Sequence, residues 1–258
     1  MGEEMLAAEK LSFESALERL EGNQASLATV LARLERIKPL PPDARALDIG
    51  AAQGRYLIAF ARLGIQAVGV EPWAPARETA SRLAAHEGID IAIREGVAEA
   101  LPVDSESVDL VHARAVMEHV DDPQMSFNEA CRVLKPGGVF WFSTASSMCP
   151  FQDEIRGFPG FGWYPDGLKR RIMDWVKKRK PHLVGYNDRP AVHWFTPWRA
   201  RRMLRQAGFS RVYDRWDLRL PSEGGRVYRL GLRVIQMHST TKFFADILIK
   251  GCAFAAVK

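Results

Sequence analysis

Residues 46–60 read ALDIGAAQGRYLIAF: a short apolar run, a turn holding Gly50 and Gly54, then an amphipathic segment. That order predicts a buried strand feeding a helix. In a strand–turn–helix unit, glycines let the backbone approach a ligand and the helix N-terminus offers unpaired N–H groups. The turn Asp48-Ile49-Gly50-Ala51-Ala52-Gln53-Gly54 departs from the G-x-G-x-x-G diphosphate fingerprint, because Ala52 replaces the middle glycine and an aspartate stands at the strand end. A carboxylate there repels a diphosphate and suits an ammonium or sulfonium group. The ligand is expected to be cationic at this end.

Outward from this turn, apolar runs alternate with amphipathic segments, the pattern of parallel strands joined by crossover helices. Strands are predicted at 45–49, 66–71, 90–94, 107–112 and 138–144, with helices at 54–63, 75–87 and 123–134. Upstream, residues 3–37 carry leucines at helical spacing, with a break near Glu21-Gly22-Asn23, and Pro39-Leu40-Pro41-Pro42 ends the segment. After Ser143 the rhythm gives way to CPFQDEIRGFPGFGWYPDG and the basic helix LKRRIMDWVKKRK, residues 168–180. A helix at 196–209 follows, with Thr196 as N-cap, Pro197 in the first turn and Gly208 at its C-terminal end. SRVYDRWDLRL reads as a strand, 226–249 as one amphipathic helical stretch, and GCAFAAVK as a closing strand. The expected organisation is an N-terminal helical cap at 1–42 and one α/β domain at 43–258, with 147–195 an insertion on the substrate side.

At 258 residues, 47 % of them hydrophobic, the chain is long enough for one such domain with elaborations. Cys131, Cys149 and Cys252 are odd in number and far apart, which suggests neither a disulfide framework nor a C-x-x-C metal site, and no metal is expected. The N-terminus has no signal-peptide pattern and no apolar run reaches the roughly 18 residues of a membrane span. A soluble protein of the reducing cytoplasm is expected. The formal charge is +5, but between Phe151 and Arg205 thirteen Lys or Arg face five Asp or Glu, leaving the remainder at −3. Basic character confined to one aromatic-laden insert argues against a nucleic-acid partner and for a local anionic one. The region after the predicted fourth strand reads ARAVMEHV and lacks the N-P-P-Y type of motif found where nucleobases are methylated.

Three further stretches narrow the reading. Glu71 ends the second strand in QAVGVEPW, where a carboxylate can accept from both ribose hydroxyls. VDLVHARAVMEHVDDP and EACRVLKPGGVFWFS then place a strand end, a loop, a helix and a Lys-Pro-Gly-Gly turn before the fifth strand. Together with LDIGAAQG and the LPVD of 101–104, this series resembles the class I S-adenosylmethionine-dependent methyltransferases, in the broad group acting on small molecules; the match runs in order over residues 44–144. The resemblance implies a Rossmann-like, doubly wound seven-stranded sheet, mostly parallel with an antiparallel last strand. It implies S-adenosylmethionine as cofactor and S-adenosylhomocysteine as product. Asp48, Gly50, Ala51 and Gly54 would lie by the methionine moiety, and Glu71 with Pro72 by the ribose. Val97 and Ala98 would lie by the adenine, where the group often has an acidic residue in place of Val97. His112, Ala113 and Arg114 would form the loop after the fourth strand, offering a carbonyl to the α-ammonium group.

In methyl transfer from a sulfonium the donor is already activated, so positioning and desolvation supply much of the catalysis. An alcohol or phenol acceptor needs a base, whereas a carboxylate, thiolate or amine does not. His193 in AVHWF and His119 in MEHV are the candidate bases, each also readable as a structural histidine. Trp163, Tyr164, Tyr186, His193 and Trp194 are candidate acceptor contacts in an insertion whose aromatic side chains suit an apolar pocket or a satellite core. The basic residues of 168–180 read as a solvated face, or, with Ile172, Met173, Trp175 and Val176 interleaved, as a peripheral membrane contact. Three functions stay open: methylation of a small molecule, with oxygen one acceptor atom; methylation of a lipid-linked or saccharide acceptor at a membrane; and a donor-binding scaffold without turnover.

Overall fold

The strands are β1 (Arg45–Ile49), β2 (Gln66–Val70), β3 (Ala92–Arg94), β4 (Val108–Arg114), β5 (Leu134–Thr144), β6 (Arg211–Asp214) and β7 (Cys252–Val257). In the computed structural model, which describes residues 13–151, 155–180, 183 and 191–258, they form one sheet in the order β3-β2-β1-β4-β5-β7-β6. β1 pairs in parallel with β2 and β4, and β2 with β3. The strand order therefore reverses between β1 and β4, and the carboxyl ends there are where open α/β sheets hold ligands. β7 runs the other way: Lys258, just past its end, exchanges backbone bonds with Gly137 and Gly138, while Cys252 at its start lies against the Ala145 carbonyl. The expected Rossmann-like sheet with an antiparallel last strand is the fold observed.

The helices are α1 (Leu20–Glu35), α2 (Arg55–Arg62), α3 (Ala74–His86), α4 (Pro123–Val133), α5 (Asp166–Arg179), α6 (Pro197–Gln206), α7 (Arg215–Leu218), α8 (Arg226–Met237) and α9 (Ser239–Ile247). The chain divides into two compact units. Unit one holds the described residues up to Ala113, with Asn128–Phe140 and Val257–Lys258; unit two holds Arg114–Phe127 and Trp141–Ala256.

In unit one, Ala16 and Leu20 from the N-terminal segment are buried with Ile58 of α2 and Leu83 and Ala84 of α3. The helix break falls at Arg19, ahead of the expected Glu21-Gly22-Asn23. Gly22 stays helical because Leu20, Leu27, Val30 and Leu34 bury one face of α1, which outweighs a glycine penalty of about 1 kcal/mol. Strand boundaries also differ from expectation: β2 ends at Val70, one residue early, and β3 begins at Ala92, two residues late. β5 begins at Leu134, four residues before the predicted start, since Lys258 supplies ladder partners to Gly137 and Gly138 and Lys135 pairs with Asp109 at 2.8 Å. β4 runs on through Arg114, so His112 is a strand residue paired with Asp48 of β1 and not part of a loop.

In unit two, the insertion builds its own core from Ala145, Ile155, Phe161, Met173, Val176, Ala191 and Trp194. The predicted strand at 210–220 stops at Asp214, whose side chain accepts from the N–H groups of Trp216 and Asp217 while Asp217 accepts from Asp214 N–H. That capping box opens α7 in place of more strand. The single helical stretch expected at 226–249 is two helices, α8 and α9, separated by His238 in an extended conformation. All three cysteines are free and buried. Burial pushes the thiols of Cys131 and Cys252 above their ordinary range.

Candidate active site

Of the residues predicted to hold a cofactor, Gly50, Ala51 and Gly54 lie in the turn after β1 and Glu71 and Pro72 in the turn after β2. Gly50, Ala52 and Gly54 all have left-handed backbone, with φ of 68°, 46° and 72°. Gly54 opens α2, and a Cβ there would meet Ala80 Cβ at 2.8 Å, so the turn sits directly on α3. Ala52 holds a conformation that costs an L-residue about 1–2 kcal/mol, with its methyl group exposed. What fixes it is Glu71, whose Oε2 accepts from Ala52 N–H at 2.9 Å and whose Oε1 accepts from Trp73 N–H at 3.0 Å. One carboxylate thus ties the β1–α2 turn to the β2–α3 turn, and each oxygen keeps a further lone pair. Pro72 contributes its carbonyl to Arg77 at 2.8 Å.

Asp48 is buried at the end of β1, with Oδ1 2.7 Å from His112 Nδ1. Tyr56 tilts over the His112 ring at 4.6 Å and Phe60 meets it edge-on. Asp48 Oδ2 is buried without a hydrogen-bond partner among the described residues. An unmet buried acceptor is costly, so this oxygen suits a ligand that donates. Past β3, Val97 is half-buried and Ala98 buried, in a turn closed by Ala100 N–H on the Val97 carbonyl. Ala113 is buried in β4 beside Ile49, and Arg114, the exposed last residue of that strand, begins unit two. Unit one also has a cavity of about 640 Å³ lined by Arg45, Gln66, Ala92 and Val108. It opens at the amino ends of the strands, the wrong end for a ligand held by these turns.

In unit two, Glu118 is buried and accepts from Thr144 Oγ1 at 2.7 Å, while its carbonyl receives the N–H groups of Val192 and His193. His119 is half-buried beside it. His193 is buried, with Nε2 3.3 Å from the Asp121 carbonyl. Burial pushes His193 below the ordinary histidine range, and Arg170 and Arg199 add to this against the Asp121 bond and Asp166. The Asp121 carbonyl can only accept, so Nε2 carries the hydrogen at that contact, and Nδ1, buried without a hydrogen-bond partner among the described residues, is the ring's remaining acceptor.

An open cleft of about 450 Å³ in the same unit is lined by Tyr164, Asp166, Lys169, Trp198, Arg199 and Arg202, among others. Lys169 is buried, with Nζ 3.0 Å from Asp166 Oδ1 and above the Trp194 ring. Three cations against one carboxylate make the cleft anion-attracting. Trp194 also lines it, but its ring is a core element against Phe161. Trp163 is exposed, and Tyr186 lies outside the described residues. Sequence reasoning missed the His112 partnership, Glu118 and the joint lining by Lys169, Arg199 and Arg202. Tyr164, Trp194 and the basic character of the insert had signalled part of the cleft.

A doubly wound sheet whose switch-point turn follows an acidic strand end, with a second carboxylate closing the next strand, defines an α/β domain for a ligand with a ribose and a positive charge. The family described as a methyltransferase domain matches residues 47–142. An uncharacterized methyltransferase of Mycobacterium sp. is 38 % identical over 176 residues, covering 68 % of either chain. The chain belongs to the class I S-adenosylmethionine-dependent methyltransferase family, and S-adenosylmethionine is the family's cofactor. A ubiquinone biosynthesis O-methyltransferase of Methylobacterium nodulans is 35 % identical over 143 residues, 54 % of this chain and 56 % of that one. The chain spans about half the length of such relatives. The fold is also that of phosphoethanolamine N-methyltransferase 2 of Haemonchus contortus, solved with S-adenosyl-L-methionine (TM-score 0.56, 20 % identity, 89 % of this chain and 52 % of that one). The residues present fit that cofactor: left-handed glycines for close approach, Glu71 with spare lone pairs, and the unmet Asp48 Oδ2.

Proposed function

We propose that the protein transfers a methyl group from S-adenosylmethionine to an oxygen of a small acceptor that carries an acidic group. The observation that carries this reading is the pair of strand-end carboxylates, one fixed by two backbone N–H groups and the other keeping an unmet buried oxygen. When bound, the cofactor supplies an activated methyl group. Glu71 accepts from the ribose hydroxyls, Asp48 receives the cationic end, and the Ala98 N–H with its neighbour Val97 serves the adenine. Ala113 and Arg114 supply backbone to the ammonium group. His193, with Nδ1 as its open acceptor atom, takes the proton of an acceptor hydroxyl, with His119 the second candidate. Lys169, Arg199 and Arg202 hold the acceptor's anionic group, and Tyr164 its apolar body. The name of the Methylobacterium relative supports oxygen as the acceptor atom. No described helix is long and apolar enough to cross a membrane, and buried free thiols fit the cytoplasmic setting we assign.

Calorimetric titration with S-adenosylmethionine, S-adenosylhomocysteine and NAD tests the donor: the first two bind at micromolar level and NAD does not. Binding of NAD alone would overturn the reading. Screening phenolic acids against neutral phenols tests the acceptor, and Arg202→Glu lowers turnover of the acidic compounds alone.

A further inference from the structure

The helix α8, RVYRLGLRVIQM, puts Val227, Leu230, Val234 and Met237 on one stripe by its 3.6-residue period. Their relative exposures are 88 %, 67 %, 47 % and 68 %. The opposite side holds the helix in place: Leu232 is buried and Gln236 donates to the Trp216 carbonyl at 2.7 Å. Phe244 in α9, the helix packed against α8, and Leu248 just past it are exposed as well, at 62 % and 82 %. Apolar patches of this kind mark sites of association.

Arg226, Arg229 and Arg233 follow at helical spacing along one border of the stripe. All three are exposed and form no ion pair among the described residues. Residues 226–250 contain five Lys or Arg and one acid, Asp246, which is buried and accepts from the Trp216 indole N–H. A two-fold contact with a second copy would bring these arginine rows together with no exposed acid on either helix, which is unfavourable. A surface of anionic lipid answers both features at once, taking the apolar stripe into the acyl boundary and the arginines onto phosphates. The basic helix α5 is less suited, since Met173 and Val176 are spent in the satellite core and Ile172 packs against it.

We propose that α8, extended by Phe244 and Leu248, is an in-plane anchor that docks the protein on the surface of an anionic bilayer. The inference stands apart from the donor and acceptor readings. It is tested by flotation of the full chain with vesicles of phosphatidylcholine alone and of phosphatidylcholine mixed with phosphatidylglycerol. The protein floats with the mixed vesicles and little with the neutral ones. Val227→Gln with Leu230→Gln lowers partitioning at least about tenfold, and each of Arg229→Gln and Arg233→Gln lowers it about fivefold. Thermal melts stay unchanged because the replaced side chains are exposed, and donor titration stays unchanged because none lies at the cofactor turns. Lys178→Gln with Arg179→Gln on α5 has the smaller effect. The inference is overturned if the wild-type chain ignores anionic vesicles, if the α8 variants float as well as wild type, or if the α5 pair abolishes flotation. A wild-type dimer in sedimentation that Leu230→Gln converts to monomer would assign the face to a second copy and overturn it as well.

Discussion

The cofactor turns of unit one and the cationic cleft of unit two are both charged recesses, yet they are built by opposite means. Glu71 is held by two backbone N–H groups, so its position follows from the path of the chain through Ala52 and Trp73. Lys169, Arg199 and Arg202 come from two helices, α5 and α6, and line one cleft together with Trp194 of the satellite core. A site made by backbone is specified locally, whereas a site made by side chains inherits its shape from packing. The first tolerates surface change and fails abruptly at a few positions. The second is tuned by many.

That contrast is sharpest at Glu71. Glu71→Ala removes the ribose acceptor and the tether on the β1–α2 turn together, and S-adenosylmethionine affinity by calorimetry falls about 1000-fold, as expected for two charge-assisted hydrogen bonds. A near-wild-type affinity would break the comparison. Next in size, Asp48→Ala removes the carboxylate that holds His112 Nδ1 and lowers unfolding free energy by about 3 kcal/mol in a denaturant titration. Ala52→Gly relaxes the left-handed turn and raises stability by about 1 kcal/mol, with donor affinity equal or better. The smallest effect is at His193. Its folded pKa is depressed below the ordinary 6.5, so the unfolded chain takes up the proton first as pH falls. The stability it contributes is complete above pH 6.5 and is lost on acidification through the depressed value, and thermal melts of His193→Gln against pH show a shallower acid limb.

What was legible in the sequence follows the same division. The glycine turn, the strand-end carboxylates at 48 and 71 and the rhythm of β1 to β5 are local patterns, and the structure has them where the spacing puts them. The early start of β5 depends on Lys258, more than a hundred residues later, and no local signal announces it. The partnership of His112 with Asp48 depends on strand register across 64 residues. Asp214 and Asp217, by contrast, form a D-x-x-D pair that already encodes a helix start; the β-branched and aromatic residues around it drew the strand too far. The stripe on α8 was visible as periodicity, but a moment does not say which side of a helix meets protein and which meets water.

The three cysteines offer a use that has nothing to do with catalysis. Cys131 belongs to unit one and Cys149 and Cys252 to unit two, all three are reduced, and all are buried. A thiol shut away from solvent reacts with an alkylating reagent only when its surroundings open. The chain therefore carries a built-in clock for each unit: the rate at which each sulfur is captured, read by peptide mass, tells whether the two halves loosen together or separately, with no label introduced and no residue changed.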